Sequence, residues 1–315
     1  MADVQRRLSA LGFDTLPDRL GYYGPGTRAA IEAFQYARGL RVDGIFGPQT
    51  WAALVEAGLK LGDRLLYQRQ PMLRGDDVAD LQRRLSALGF DTGRVDGIFG
   101  LQTARAVAEL QRNVGLPPDG ICGRRTLSEL FRVMPRRGDP ELVTSVRDRE
   151  RLRMSPRTLR GRTIAIGEEG GLDALVSSLC RRVSSLGAEV VPIWHPDGSR
   201  QAVVANAAGA DAYVGLRLAS GDLRCQVSFY SGYKYESAGG RRLADLVSLH
   251  VSPILGTALP TAGMSVPVLR ETSMPAVVCE IGPPATVVRG VAALAGALAG
   301  ALAAWAEDPV EESAG

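Results

Sequence analysis

Lysine is almost missing from this chain of 315 residues, with Lys60 and Lys234 the only two, so arginine supplies nearly all of the positive charge. That charge is local: 132–162 holds ten Arg against four acidic residues, a net of +6, whereas the whole chain carries only +3. The basic run lacks interleaved aromatics and no recognition motif accompanies it, which excludes a nucleic-acid partner. Histidine is equally scarce. His195 sits in the turn Trp194-His195-Pro196-Asp197-Gly198 and His250 ends a helical stretch, so both read as solvated or hydrogen-bonded side chains. The four cysteines, Cys122, Cys180, Cys225 and Cys279, show no metal-ligand spacing and read as small buried hydrophobes rather than disulfides.

The start of the chain lacks a charged n-region and an apolar h-region, because Met1-Ala-Asp-Val runs straight into an amphipathic helix. The expectation is a cytoplasmic protein, with membrane association as the alternative offered by the positive linker. Long apolar runs are also lacking. The stretch 290–306 is uncharged, but it is short for a bilayer span and its Ala and Gly are weakly hydrophobic. A C-terminal helix packed on a sheet is expected there, not a transmembrane segment.

What is present is a repeat. The segment QRRLSALGFDT occurs at 5–15 and again at 82–92, and each copy opens a module of about the same plan. In the first, Val4, Leu8 and Leu11 make one apolar stripe, Gly12 ends the helix, and a second helix buries Ala30, Ile31, Phe34 and Ala37. A tight turn follows at Asp43-Gly44, then Gly47 and Thr50 lead into a third helix near Trp51. The second module repeats this with Asp96, Gly97, Gly100 and Thr103, then Asp119, Gly120 and Gly123. Two small all-α three-helix modules are expected at 1–62 and 74–133. These residues resemble the peptidoglycan-binding domain family, whose hallmark is a DGxxGxxT turn, a helix carrying FQ, and another such turn; Phe34-Gln35 and Leu110-Gln111 occupy the FQ position. The resemblance implies a groove for cell-wall glycopeptide, or for a protein or lipid-linked precursor in a chain that is not exported.

The stretch 134–160 carries Pro135, Pro140 and Pro156 among dense charge and reads as a surface linker with no core helix. From 161 to 307 the rhythm changes. Apolar runs at 163–166, 189–194, 212–218, 226–231, 266–269 and 276–281 alternate with helical stretches at 172–186, 201–208, 238–250 and 287–306. This is an α/β domain with a mixed, mostly parallel central sheet covered by helices. The last residues, 308–315, read as a disordered tail.

Three segments of this domain are similar to the zinc-dependent N-acetylmuramoyl-L-alanine amidase family. They are the run from Thr163 through Glu168, Glu169 and Gly170-Gly171 to Asp173, the run from Tyr213 through Arg217 to Ser220, and the last strand with Glu280. An active site of that class uses two neutral imidazoles and a carboxylate to hold zinc, and a glutamate to take a proton from the bound water. Here both histidines are absent. Glu169 precedes the glycine pair, Arg217 stands at the third-ligand position, and Glu168 or Glu169 is expected near the place of the missing carboxylate ligand. Glu280 keeps the place of the general base and is expected to pair with Arg217 across neighbouring strands, as a vestigial catalytic residue. No metal or other cofactor is expected, zinc being required only in the alternative of a working amidase with an atypical site.

Tandem modules, no export signal and an amidase domain without zinc histidines together resemble an actinobacterial family of cytoplasmic regulators of cell-wall precursor synthesis. The resemblance implies a non-catalytic scaffold. Its partners would be the enolpyruvyl transferase of the first committed step, the machinery for lipid-linked precursors, or peptidoglycan fragments.

Overall fold

The computed structural model describes residues 1–134, 143–219, 225–232 and 235–310, with the side chains of 143–147 outside that description. The chain divides into two units, Met1–Arg147 with Gly232–Tyr235, and Asp148–Ser231 with Glu236–Gly315.

The first unit is helical. Helices α1 (Ala2–Ala10), α2 (Pro25–Ala37) and α3 (Pro48–Ala57) enclose Val4, Leu8, Ile31, Phe34 and Leu54. Helices α4 (Asp76–Ala87), α5 (Leu101–Asn113) and α6 (Arg124–Val133) enclose Leu81, Leu85, Phe99, Val107, Leu110 and Leu130. The second core also takes in Leu66 and Leu73, upstream of residue 74. Leu66 and Cys122 exchange both backbone hydrogen bonds, and the Phe99 amide donates to the Leu73 carbonyl at 2.8 Å. Between the modules, the Arg38 guanidinium grips the Asp76 carboxylate with two bonds, at 3.0 and 2.6 Å.

Within the stretch expected as a linker, 134–160, lies a helix that the sequence pattern did not predict, α7 (Val143–Met154). The stretch has no apolar stripe, which is why its pattern gave no helix. Its Arg, Glu, Leu and Met residues nevertheless have high helix propensity, Arg153 pairs with Glu150 at 3.0 Å, and Leu152 is buried in the core of the second unit. Leu159 joins the same core. The remainder of that expectation, 135–142, lies outside the described residues.

The second unit is built on a seven-stranded sheet of β1 (Thr163–Glu168), β2 (Glu189–Trp194), β3 (Ala212–Leu218), β4 (Gln226–Gly232), β5 (Tyr235–Glu236), β6 (Thr261–Met264) and β7 (Ala276–Ile281). Its order is β2-β1-β3-β7-β4-β5, with β6 beside β4. β2, β1, β3 and β7 run parallel, β4 is antiparallel to β7, and β6 is parallel to β4. Helices α8 (Asp173–Ser185), α10 (Ala238–Leu255) and α12 (Pro284–Glu307) pack together on one face. Alternate strand residues Ile164, Ile166, Val214, Leu216, Val277, Cys279 and Ile281 point into that core. Helices α9 (Gly198–Ala207) and α11 (Pro267–Glu271) pack on each other, with Gln201 of α9 lying under Gly167 on the opposite face of β1.

Two further expectations change. Residues 266–269 are not a strand: Pro267 takes the first turn of α11, where its missing amide proton costs nothing, and the strand falls at β6 just before it. Residues 308–310 are not a free tail, because Val310 is buried in the core and Asp308 pairs with Arg242 at 2.9 Å; 311–315 lie outside the described residues. Helix α12 is long and apolar enough to cross a membrane by length and composition. In this structure Leu294, Leu298, Leu302 and Trp305 of that helix are buried in the core of the unit.

Candidate functional site

The motif residues of the modules converge on four buried glutamines. In α2, the Gln35 amide donates to Asp43 Oδ1 (2.9 Å), the Ile45 carbonyl (3.1 Å) and Thr50 Oγ1 (3.1 Å), while its oxygen accepts from the Gly44 amide (2.9 Å). Gln111 in α5 repeats this set with Asp119, Ile121, Thr126 and Gly120. Gln82 in α4 does so with Asp96, Ile98, Thr103 and Gly97. Gln5 in α1 holds the shorter turn through Arg19, Tyr22, Thr27 and Gly21. Gly44, Gly97 and Gly120 have φ near +70°, a left-handed conformation that a side chain would strain. Gly47, Gly100 and Gly123 sit in extended backbone immediately before α3, α5 and α6. Every polar motif side chain is thus satisfied inside its own turn. The Ile121 amide and then the Gln111 side chain hold the Asp119 carboxyl below the usual carboxylate range.

In the α/β unit, β1, β3 and β7 are parallel, so Glu169, Arg217 and Glu280 arrive together at their carboxyl ends, the edge where open α/β sheets place ligands. Arg217 and Glu280 are register partners on β3 and β7, and Arg217 Nη1 donates to Glu280 Oε1 at 3.2 Å. The closer partner is Glu169, which takes two bonds from the guanidinium, one of them Nε to Oε2 at 2.8 Å. Gln226 on β4, opposite Glu280, donates to the other Glu280 oxygen at 3.0 Å. Burial by itself would lower the Arg217 pKa; the bonds and charges of Glu169, then of Glu280, outweigh it and raise the value. The cation is permanent. Cys279 faces the opposite side of β7 and is fully buried, which pushes its thiol up to about 12.

Glu168, expected as the alternative to Glu169 near the place of the missing carboxylate ligand, does not join this cluster. As the last residue of β1 it is buried, and its carboxylate accepts the Leu172 amide at 2.7 Å, closing the loop into α8. Its carbonyl accepts the His195 amide, and His195 Nδ1 accepts the Asp197 amide at 2.9 Å, so that imidazole belongs to its own turn. His250 lies against Gly300 of α12. Zinc is the metal that the amidase resemblance implies, and this donor set does not fit it. Glu169 and Glu280 are both bonded to a guanidinium that cannot shed its proton, and a dication placed between them would meet that charge. Among the described residues no three His, Cys, Asp or Glu side chains are gathered for a metal.

Residues 1–54 and 74–130 match the family described as "Putative peptidoglycan binding domain". With the α/β unit beside them, they define the class: a peptidoglycan-related, amidase-like protein of several domains. The N-acetylmuramoyl-L-alanine amidase CwlM of Mycobacterium tuberculosis is 39% identical over 289 residues, which cover 80% of this chain and 70% of that protein. The chain belongs to the family of that amidase. The N-acetylmuramoyl-L-alanine amidase CwlL of Bacillus licheniformis is 36% identical over 149 residues, 40% of this chain and 41% of that protein. Among solved structures, an N-acetylmuramoyl-L-alanine amidase from Clostridium difficile 630 aligns with a TM-score of 0.39 at 16% identity, over 47% of this chain and 97% of its own.

The reading of the residues alone placed Arg217 beside Glu280 but missed Glu169 as the main partner. It also missed Gln5 and Gln82, although each opens a copy of QRRLSALGFDT. Their repetition was the available signal.

Proposed function

We propose that this chain is a non-catalytic member of its family, acting as a scaffold or regulator of peptidoglycan precursor synthesis. The observation that carries this reading is the Arg217 guanidinium between Glu169 and Glu280, where the amidase chemistry calls for a dication. A general base needs a water of lowered pKa, and a metal supplies it by coordination. Arginine supplies charge but no coordination site, so Glu280 has no activated water to deprotonate. Its carboxylate is instead engaged by Arg217 and Gln226, as a structural member of the sheet edge. The same bonds tie β1, β3, β7 and β4 together at that edge.

What remains is binding. The partners that fit are an enzyme of precursor synthesis such as the enolpyruvyl transferase, the machinery for lipid-linked precursors, and muropeptide. Adding the purified chain to the purified enolpyruvyl transferase tests the regulatory arm: the reading predicts a saturable change in turnover at micromolar chain. No change with either that enzyme or the lipid-linked step would leave the regulatory reading without support.

A further inference from the structure

The two helical modules are built on one plan, yet only module two wears a strap. From Gly21 onward the residues of module one correspond to those of module two at an offset of 76: Gly21 to Gly97, Tyr23 to Phe99, Phe46 to Cys122, Gly47 to Gly123 and Trp51 to Leu127. Gln35 and Gln111 hold the matching turns with matching bonds. What differs is the segment 64–75, which crosses both turns of module two. Leu66 exchanges two backbone bonds with Cys122, at 3.2 and 2.8 Å. Further along, the Leu73 carbonyl accepts the Phe99 amide at 2.8 Å and the Gly75 amide donates to the Gly97 carbonyl at 3.0 Å. The Leu66 and Leu73 side chains are buried in the core of that module, and Leu65 covers Gly123, where its Cδ2 would meet an added Cβ at 3.1 Å.

No described segment takes that place on module one. Among the described residues, the Tyr23 backbone amide and the Phe46 backbone amide and carbonyl have no hydrogen-bond partner, although they correspond to the groups that the strap engages. An added Cβ at Gly47 would meet nothing within 4 Å. The side chains open out in step. Phe99, Cys122 and Leu127 are 0%, 0% and 8% exposed, whereas Tyr23 and Trp51 are 39% and 41% exposed and Phe46 is half-buried. Phe46 and Trp51 meet edge to face at 5.9 Å, so the slot has an aromatic floor where module two has a leucine lid. The larger rings shield the core of module one and leave backbone donors and acceptors beside a half-exposed apolar surface. Such an edge takes an extended peptide, whose main-chain bonds give affinity and whose alternate side chains give selectivity.

We infer that the open slot of module one is a docking site for a protein partner, which enters as an extended segment carrying two aliphatic side chains seven residues apart. That spacing is the spacing of Leu66 and Leu73, the anchors that fill the corresponding slot of module two. The incoming backbone exchanges two bonds with Phe46, as Leu66 does with Cys122, and accepts the Tyr23 amide, as Leu73 accepts that of Phe99. Its first anchor lies against Phe46 and Trp51, its second beside Tyr23. Module two, with its own strap in place, is closed to the same segment. The site does not depend on the loss of catalysis, since every residue in it belongs to the helical unit.

The probe is a synthetic peptide of residues 64–75 added to the full chain, with amide hydrogen exchange read residue by residue by NMR. In the chain alone the Phe99 and Cys122 amides should be protected and those of Tyr23 and Phe46 should exchange rapidly. Saturating peptide should slow exchange at Tyr23 and Phe46 by about tenfold or more and leave Phe99 and Cys122 as they were. A peptide carrying Leu66→Asp and Leu73→Asp should bind at least about tenfold more weakly, the size of one lost aliphatic contact. Tyr23 and Phe46 amides that are unchanged at millimolar peptide, or slowed equally by the two peptides, overturn the proposal. Protection of both amides in the dilute chain alone also overturns it, because the slot would then be closed already. Protection that appears without peptide and grows with chain concentration assigns the slot to the strap of a second copy and overturns the assignment to a partner.

Discussion

Replacing Arg217 by methionine removes the cation and keeps an unbranched side chain close to the length of the arginine's aliphatic stem. Glu169 then loses both of its bonds and Glu280 loses the one at 3.2 Å, keeping only Gln226 at 3.0 Å. Breaking a fully buried pair from one side costs about 3–5 kcal/mol, because the remaining charge is left without a partner. Here water reaches part of the cluster: the side chains of Arg217, Glu169 and Glu280 are 31%, 28% and 11% exposed. Screening reduces the cost to about 1–3 kcal/mol, with most of it falling on Glu280. Urea denaturation followed by the fluorescence of Trp305, buried in the same unit, measures it in a background where Trp51 and Trp194 are replaced by phenylalanine. The triple variant Arg217→Met/Glu169→Gln/Glu280→Gln removes all three charges and should recover most of the loss, since nothing charged is stranded. If Arg217→Met lies within about 0.5 kcal/mol of the unaltered chain, or the triple variant is worse than the single one, the ion pairs are not what holds this edge of the sheet.

The clamp glutamines should be among the most sensitive polar positions of the helical unit: Gln111→Ala leaves the buried Gly120 amide without its acceptor and takes a donor from Asp119, Ile121 and Thr126, a loss of about 1–3 kcal/mol by urea denaturation. Leu152→Ala should lower the stability of the α/β unit by about 2–4 kcal/mol, whereas a helix that merely lay in solvent would tolerate the change. Asp119 titrates lower folded than unfolded, so its contribution is fully present above the unfolded value near ~3.9 and is lost as pH falls through the folded one. Asp119→Asn should therefore flatten the loss of stability on the acid side, read as urea midpoints between about pH 5 and 2. Burial pushes the Cys122 and Cys279 thiols up to about 12, so neither should react with a disulfide reagent at pH 8 until the chain is unfolded.

The modules were readable because their turns need particular residues. A left-handed glycine, an aspartate that accepts the amide two residues on, and an apolar helix stripe each leave a mark at fixed spacing, and three copies repeat it. The sheet was readable from apolar runs, except where a strand was as short and featureless as Thr-Ala-Gly-Met in β6. Helix α7 was not, because its sequence carries no apolar stripe, although Leu152 reaches the core. The Arg217–Glu280 pair followed from placing both residues on neighbouring strands. Glu169 did not, because it stands beyond the end of β1, where the path of the chain depends on the turn into Gly170 and not on strand register. Gln5 and Gln82 stood in plain view as the first letters of the repeat. Their meaning needed the turn folded back onto the helix, a contact between residues 14 to 22 positions apart that periodicity does not encode.

The central claim is that an arginine stands where this class of chemistry needs a metal. The measurement that meets it most directly is the zinc content of the purified chain after incubation with zinc, taken together with release of stem peptide from peptidoglycan. The account predicts less than stoichiometric zinc and no release. One zinc per chain, with release that is lost in Glu280→Gln, would contradict it.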